Sequence, residues 1–259
     1  MTEYDTACWV LTICGLGAAY SAFRDLRAGR EYAAGGLLSW EVVGAGRSRS
    51  LRRVMAWPVY RWVLAAQLVA GGCGVAVFAL SAPAAAALAW VLAGCCAVTL
   101  YRSGHGLDGA DQMSALSTVV AAGVLTVGGD VGRLLLIFLA GQLILSYLIA
   151  GVAKLASPVW RDGSCLPQIL STETFGSPGL AAVLRARPAL ATLMGWFVIG
   201  FEVLFVLACV LPGAPLWAFL AAGLLLHLGI AITMGLINFL FAFTAAYPAL
   251  IYTVTTYLA

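Results

Sequence analysis

Lys154 is the only lysine among 259 residues, and every other basic side chain is arginine. Arginine stays protonated at any useful pH, whereas a desolvated lysine can lose its proton and act as a base. Lys154 lies near the end of the apolar stretch Gln142 to Leu155, QLILSYLIAGVAKL. Tyr147, Gly151 and Lys154 recur at i, i+4 and i+7, so they share one helix face, with the glycine leaving space beside the amine. That face can line a pocket. The plainer reading is a lysine that snorkels from a helix end to the headgroups. Two more polar residues stand inside apolar runs, Glu202 and His227. A glutamate in mid-membrane must be protonated, paired or turned toward a polar cavity, and His227 is its natural candidate partner. Such a couple would relay protons, hold a polar head group, or simply fix helix packing.

The third polar concentration is YRSGHGLDGAD, Tyr101 to Asp111, which contains His105. It admits three readings. Asp111 and Gln112 cap the next helix; His105, Asp108 and Asp111 ligate a metal; or the link walls a pocket opposite Lys154. With no second histidine nearby, no metal is expected.

The elements that carry these residues follow from composition. The chain is 63% hydrophobic and 10% charged, with mean hydropathy +0.99, far outside the soluble globular range. It reads as an all-α, polytopic integral membrane bundle of seven or eight transmembrane helices, one membrane domain over 1–259 with no separate soluble domain. The start carries Glu3 and Asp5 rather than a basic region, so the first helix is expected to be retained. The seven cysteines form no C-x-x-C pair, which argues against thiol redox chemistry. The net charge of +3 gives no reason to invoke nucleic acid.

In chain order, spans are expected at 7–23, 62–80, 84–100, 112–127, 134–155, 189–211 and 217–234. A last run to Tyr257, interrupted by Pro248, either spans or re-enters. Between the first two lies a segment with eight arginines, Arg24 to Arg61, in which Trp40 and Trp57 suit the headgroup level. GGDVGR at 128–133 reads as a turn, and 156–188, with four prolines, as short helices on the membrane surface. Counting spans puts Lys154, the His105 link and the arginine-rich segment on one side, which the arginine bias makes cytoplasmic.

DGADQMSAL at 108–116, QLILSYLIAGVAKLASPVWRDG at 142–163 and HLGIAITMGLINFLFAFTAAYPAL at 227–250, with LLSWE at 37–41, resemble the HTTM proteins. These are bacterial membrane relatives of the vitamin K-dependent gamma-carboxylase. The resemblance covers most of the chain in order, and its most specific element is A-G-x-x-K-L with Trp and D-G following. It implies that Lys154 is the base that deprotonates a reduced quinone of the vitamin K kind. It also implies that His105 occupies the link where the carboxylases use a histidine. It places the Lys154 side outside the cytoplasm, in the plasma membrane, against the arginine bias. The carboxylases carry a large substrate-binding domain that this chain is expected to lack, so glutamyl carboxylation itself is not expected.

The function expected is therefore a carboxylase-like membrane enzyme in which Lys154 and His105 are catalytic. Tyr147, Gly151, Glu202 and His227 hold a quinol or lipid-like cosubstrate. Its expected partners are membrane lipid, that hydrophobic cosubstrate, and a protein that supplies the substrate site. The alternative is a non-catalytic membrane partner or immunity-type protein, whose specificity lies in the 156–188 loop. A transporter is disfavoured by the lack of an internal repeat.

Overall fold

The computed structural model describes residues 1–46, 51–103 and 107–258, all of it helix, turn and loop with no strand among them. Among the described residues, eight helical stretches are long and apolar enough to cross a membrane. They are α1 (Glu3–Arg27), α2 (Tyr60–Cys73, continued as a 3-10 turn Gly74–Ala79), α3 (Ala82–Ser103), α4 (Gly109–Val127) and α5 (Gly129–Ala156). After these come α6 (Pro188–Leu204, continued as 3-10 Phe205–Cys209), α7 (Ala214–Met234), and a last span divided between α8 (Ile237–Thr244) and α9 (Tyr247–Tyr257). The chain is an integral membrane helical bundle, and the final run has the length of a span.

Most spans begin earlier or end later than hydropathy alone suggests, and at the starts of α1 and α4 polar caps extend them. α1 starts at Glu3 because the Thr2 hydroxyl accepts from the Asp5 amide and the Asp5 carboxylate accepts from the Thr2 amide, each at 3.0 Å. Arg24 and Arg27 in its last turn complement the helix dipole. The GGDVGR turn contracts to a single residue. Gly128 and Gly129 both have positive φ, 54° and 57°, so the chain reverses there and α5 starts at once.

Cα proximity divides the chain into two compact units, Met1–Leu136 and Ile137–Ala259. In the first, α1 and α2 cross at a pair of glycines. A Cβ on Gly15 would sit 2.7 Å from the Gly71 carbonyl oxygen, and one on Gly71 would sit 2.4 Å from that of Gly15. Small residues let membrane helices touch backbone to backbone, where van der Waals contact rather than water drives association.

In the second unit, the connection 157–187 folds as three short helices, Pro158–Arg161, Cys165–Ile169 and Pro178–Ala186. Leu170, Ala181, Leu184 and Ala191 bury one another and draw the connection onto the start of α6. Its first turn is tied down separately. The Thr192 hydroxyl donates to the Asp162 carbonyl at 2.9 Å and the Trp196 indole donates to the Arg161 carbonyl at 3.1 Å. Pro248 does not kink a continuous helix, because it lies in the first turn of α9, where a missing amide hydrogen costs nothing.

Candidate functional site

The polar residues of the second unit form two clusters along one face of α5. At the C-terminal end of α5 the Lys154 ammonium donates to both oxygens of Glu202 on α6, at 2.8 and 2.7 Å. The Trp160 ring lies 5.2 Å from the same nitrogen and gives it a π face. The Lys154 side chain is 21% exposed and that of Glu202 9%, so the amine is the outer partner and the carboxylate the inner one. Trp160 reaches the amine because its short helix is clamped to α6. The Trp160 carbonyl lies 2.8 Å from where a Cβ on Gly195 would stand.

Two helical turns earlier on α5, about 10 Å along the axis, Tyr147 makes the second cluster. Its hydroxyl is 2.8 Å from Nε2 of His227 on α7 and 3.2 Å from the hydroxyl of Tyr247 on α9. Aromatic rings enclose the cluster. Phe201 and Phe205 pack on Tyr147, and Phe243 stacks on His227 with ring centroids 4.6 Å apart. The Nδ1 atom of His227 is buried and has no hydrogen-bond partner among the described residues. A buried imidazole nitrogen in that state is a place for a small polar group, since an unmet hydrogen bond costs about 1–3 kcal/mol.

Beside this cluster an apolar groove of about 500 Å³ lies between α6 and α7, lined by Trp196, Phe197, Phe201 and Phe219 among others. Phe201 therefore has one side on the groove and its ring edge against Tyr147.

The structure brings together four of the residues singled out in the sequence, but not as the sequence suggested. Tyr147, Gly151 and Lys154 do share the α5 face that meets α6. Gly151 does not open a pocket beside the amine. A Cβ there would lie 2.8 Å from the Val203 amide nitrogen and 2.9 Å from the Glu202 Cβ, so this glycine lets α5 and α6 approach closely. Glu202 and His227 are not each other's partners either, since the glutamate takes Lys154 and the histidine takes Tyr147. Tyr147 itself is buried, only 2% exposed.

His105 lies outside the described residues. The neighbouring aspartates act as caps. Asp108 accepts from the Ala110 and Asp111 amides, and Asp111 accepts from the Asp108 amide, a reciprocal arrangement that starts α4 one turn before Gln112. Among the described residues no group of three His, Cys, Asp or Glu side chains is placed to hold a metal ion.

Two members of the site were not singled out as such in the sequence, Tyr247 and Trp160, the latter entering only as the Trp that follows A-G-x-x-K-L. Tyr247 sits beside Pro248 at the break in the last apolar run, a polar atom where the helix restarts, and this was the one available signal. No family model, curated protein or solved structure matches the chain.

Proposed function

We propose that the chain is an integral membrane enzyme of the carboxylase-like kind, in which Lys154 and Glu202 act together as the base toward a hydroxyl of a hydrophobic cosubstrate. The observation that carries the reading is the Lys154–Glu202 contact, with the amine outermost and both carboxylate oxygens engaged. An ammonium cannot accept a proton. Moving one proton along the 2.7 Å contact leaves a neutral amine and a carboxylic acid with no change in net charge, which a low-dielectric setting permits. The amine then takes the proton of the incoming hydroxyl, and Glu202 holds the other until it is released.

A reduced quinone, when bound, would supply that acidic hydroxyl. Two features fit such a molecule: the apolar groove between α6 and α7, and the unpartnered Nδ1 of His227. Tyr147, Tyr247 and His227 would hold the part of the cosubstrate farther from the amine, while Gly151 sets the approach of α6 and so the reach of Glu202.

The test is oxygen uptake by the purified protein supplied with reduced vitamin K, together with mass spectrometry of copurified lipids and quinones. Lys154→Arg keeps the charge and the two-oxygen contact but cannot act as a base. It is expected to lower uptake by about a hundredfold or more, the usual contribution of general base catalysis. Uptake unchanged in that variant would end the base role.

One observation favours a second reading, a non-catalytic membrane partner. The ammonium is fully occupied by two oxygens and an indole, as a clasp between α5 and α6 requires. On that reading Lys154→Arg leaves every property of the protein intact, and no quinone copurifies.

A further inference from the structure

The first unit holds a second charged device, unrelated to Lys154. Arg102, near the end of α3, is only 3% exposed. Its Nε donates to the Met55 carbonyl at 3.0 Å and its Nη2 to the Leu38 carbonyl at 2.5 Å. Its guanidinium carbon lies 4.8 Å from the centre of the Tyr32 ring and 4.5 Å from that of Tyr60. Burial raises the Tyr32 phenol above its ordinary value, so that ring meets the cation as a neutral π surface. One side chain thus grips the segment between α1 and α2 at Tyr32, Leu38 and Met55. These residues are far apart in sequence, and the grip gathers the four-residue helices Gly29–Tyr32, Trp40–Val43 and Arg52–Met55 into a platform.

The outer surface of that platform combines two kinds of residue. Leu37 is 79% exposed, and Leu38, Val42, Val54 and Val59 are also exposed. Arg30, Arg52, Arg53 and Arg61 are exposed beside them, and the stretch Arg24 to Arg61 carries eight arginines against three acidic residues. The helix Arg52–Met55 shows the pattern in a single turn: Met55 is buried while Arg52, Arg53 and Val54 face outward. In water this mixture would expose large apolar side chains for no gain. At a bilayer surface the leucines and valines enter the acyl boundary while the arginines meet phosphate oxygens. The platform joins two membrane spans, so chain connectivity keeps it at that surface.

We propose that the described parts of this segment, 29–46 and 51–59, held by Arg102, form a docking platform for the head groups of anionic phospholipids, with Arg53 and Arg52, whose Nη2 also meets Glu41 at 3.2 Å, as principal contacts. Juxtamembrane arginines attract acidic lipids through charge, and the excess of arginine over acid gives the required sign. The inference is independent of the proposed reaction, because no residue of the second unit enters it.

The full-length protein in detergent is offered equal amounts of phosphatidylglycerol and phosphatidylcholine, and retained lipid is counted by native mass spectrometry. Phosphatidylglycerol is expected to predominate, and the preference to fall roughly tenfold in the doubly substituted Arg52→Gln, Arg53→Gln protein. Equal retention of the two lipids, or a preference that survives the double substitution, overturns the proposal. Inorganic phosphate that displaces phosphatidylglycerol completely would assign the contacts to a free anion and overturn the membrane-surface reading.

A second measurement needs no variant. Amide exchange over 37–43 and 52–55 in nanodiscs is expected to be slower with phosphatidylglycerol than with phosphatidylcholine alone. Identical exchange in both overturns the proposal.

Discussion

A charge pair inside a membrane helix bundle is best judged by what removing one half leaves behind. Glu202→Ala strands the Lys154 ammonium with only the Trp160 ring near it, and loss of one partner from a buried pair costs about 3–5 kcal/mol. Thermal unfolding in detergent is expected to show a marked fall in Tm. Replacing both residues, Lys154→Met with Glu202→Leu, removes the charge and its desolvation together and is expected to be close to neutral for stability. That double variant would abolish the proposed proton transfer, so stability and the proposed activity are separable at this pair. Tyr147→Phe is a milder change. It deletes the hydroxyl shared by His227 and Tyr247, a loss of about 0.6–1.7 kcal/mol for a hydrogen bond between membrane helices. A thermal shift beyond that range would mean that the imidazole had reorganised as well.

At the scale of elements, the site depends on two close approaches rather than on side-chain chemistry. Gly151→Ala would press a methyl group against the Val203 amide nitrogen and the Glu202 Cβ, neither of which can swing away. Overpacking of this kind costs about 1–3 kcal/mol. Since it separates α5 from α6, the Lys154–Glu202 contact should lengthen, which would be seen as weaker protection of Lys154 from amine-directed labelling.

The turn that carries Trp160 has its own support. Gly163 takes φ 80°, and a Cβ there would meet the Thr192 amide nitrogen at 2.4 Å, so Gly163→Ala is expected to detach the turn from α6. Hydrogen bonds from the Ser164 side chain and its amide hold the exposed Asp162 carboxyl below its ordinary range. A depressed carboxylate stabilises the turn above its unfolded pKa and loses that effect as pH falls through the lower folded value. Exchange at the Ser164 amide is expected to quicken only under acid conditions below the ordinary carboxylate range.

For the whole molecule, composition alone is enough for the class. A chain this apolar must satisfy its backbone hydrogen bonds internally once in lipid, and helices do so within each segment. The order of the spans was legible for the same reason, since about 20 apolar residues are needed to cross the hydrocarbon, and their number to within one, because the last run either spans or re-enters by that criterion. The shared face of Tyr147, Gly151 and Lys154 was legible too, because helical periodicity is a local property. Span ends were less so. They depend on caps such as Thr2 with Asp5, and Asp108 with Asp111, in which polar residues belong to the helix that hydropathy assigns to a loop.

Partner choice was not legible at all. Glu202 and His227 are both polar residues in apolar helices, and nothing local says which of them faces Lys154. That choice follows from the rotation of α6 about its axis and from its approach to α5 at Gly151, where the backbone of Val203 occupies the space that seemed left for a ligand. The same holds for Arg102, which reads as one more loop arginine until Tyr32, Leu38, Met55 and Tyr60 close around it. The sequence by itself determined a helical membrane protein with a single lysine at the end of its fifth span. Only the tertiary structure decided that this lysine meets a glutamate, because pairing depends on helix packing between segments distant in the chain, which no local pattern encodes.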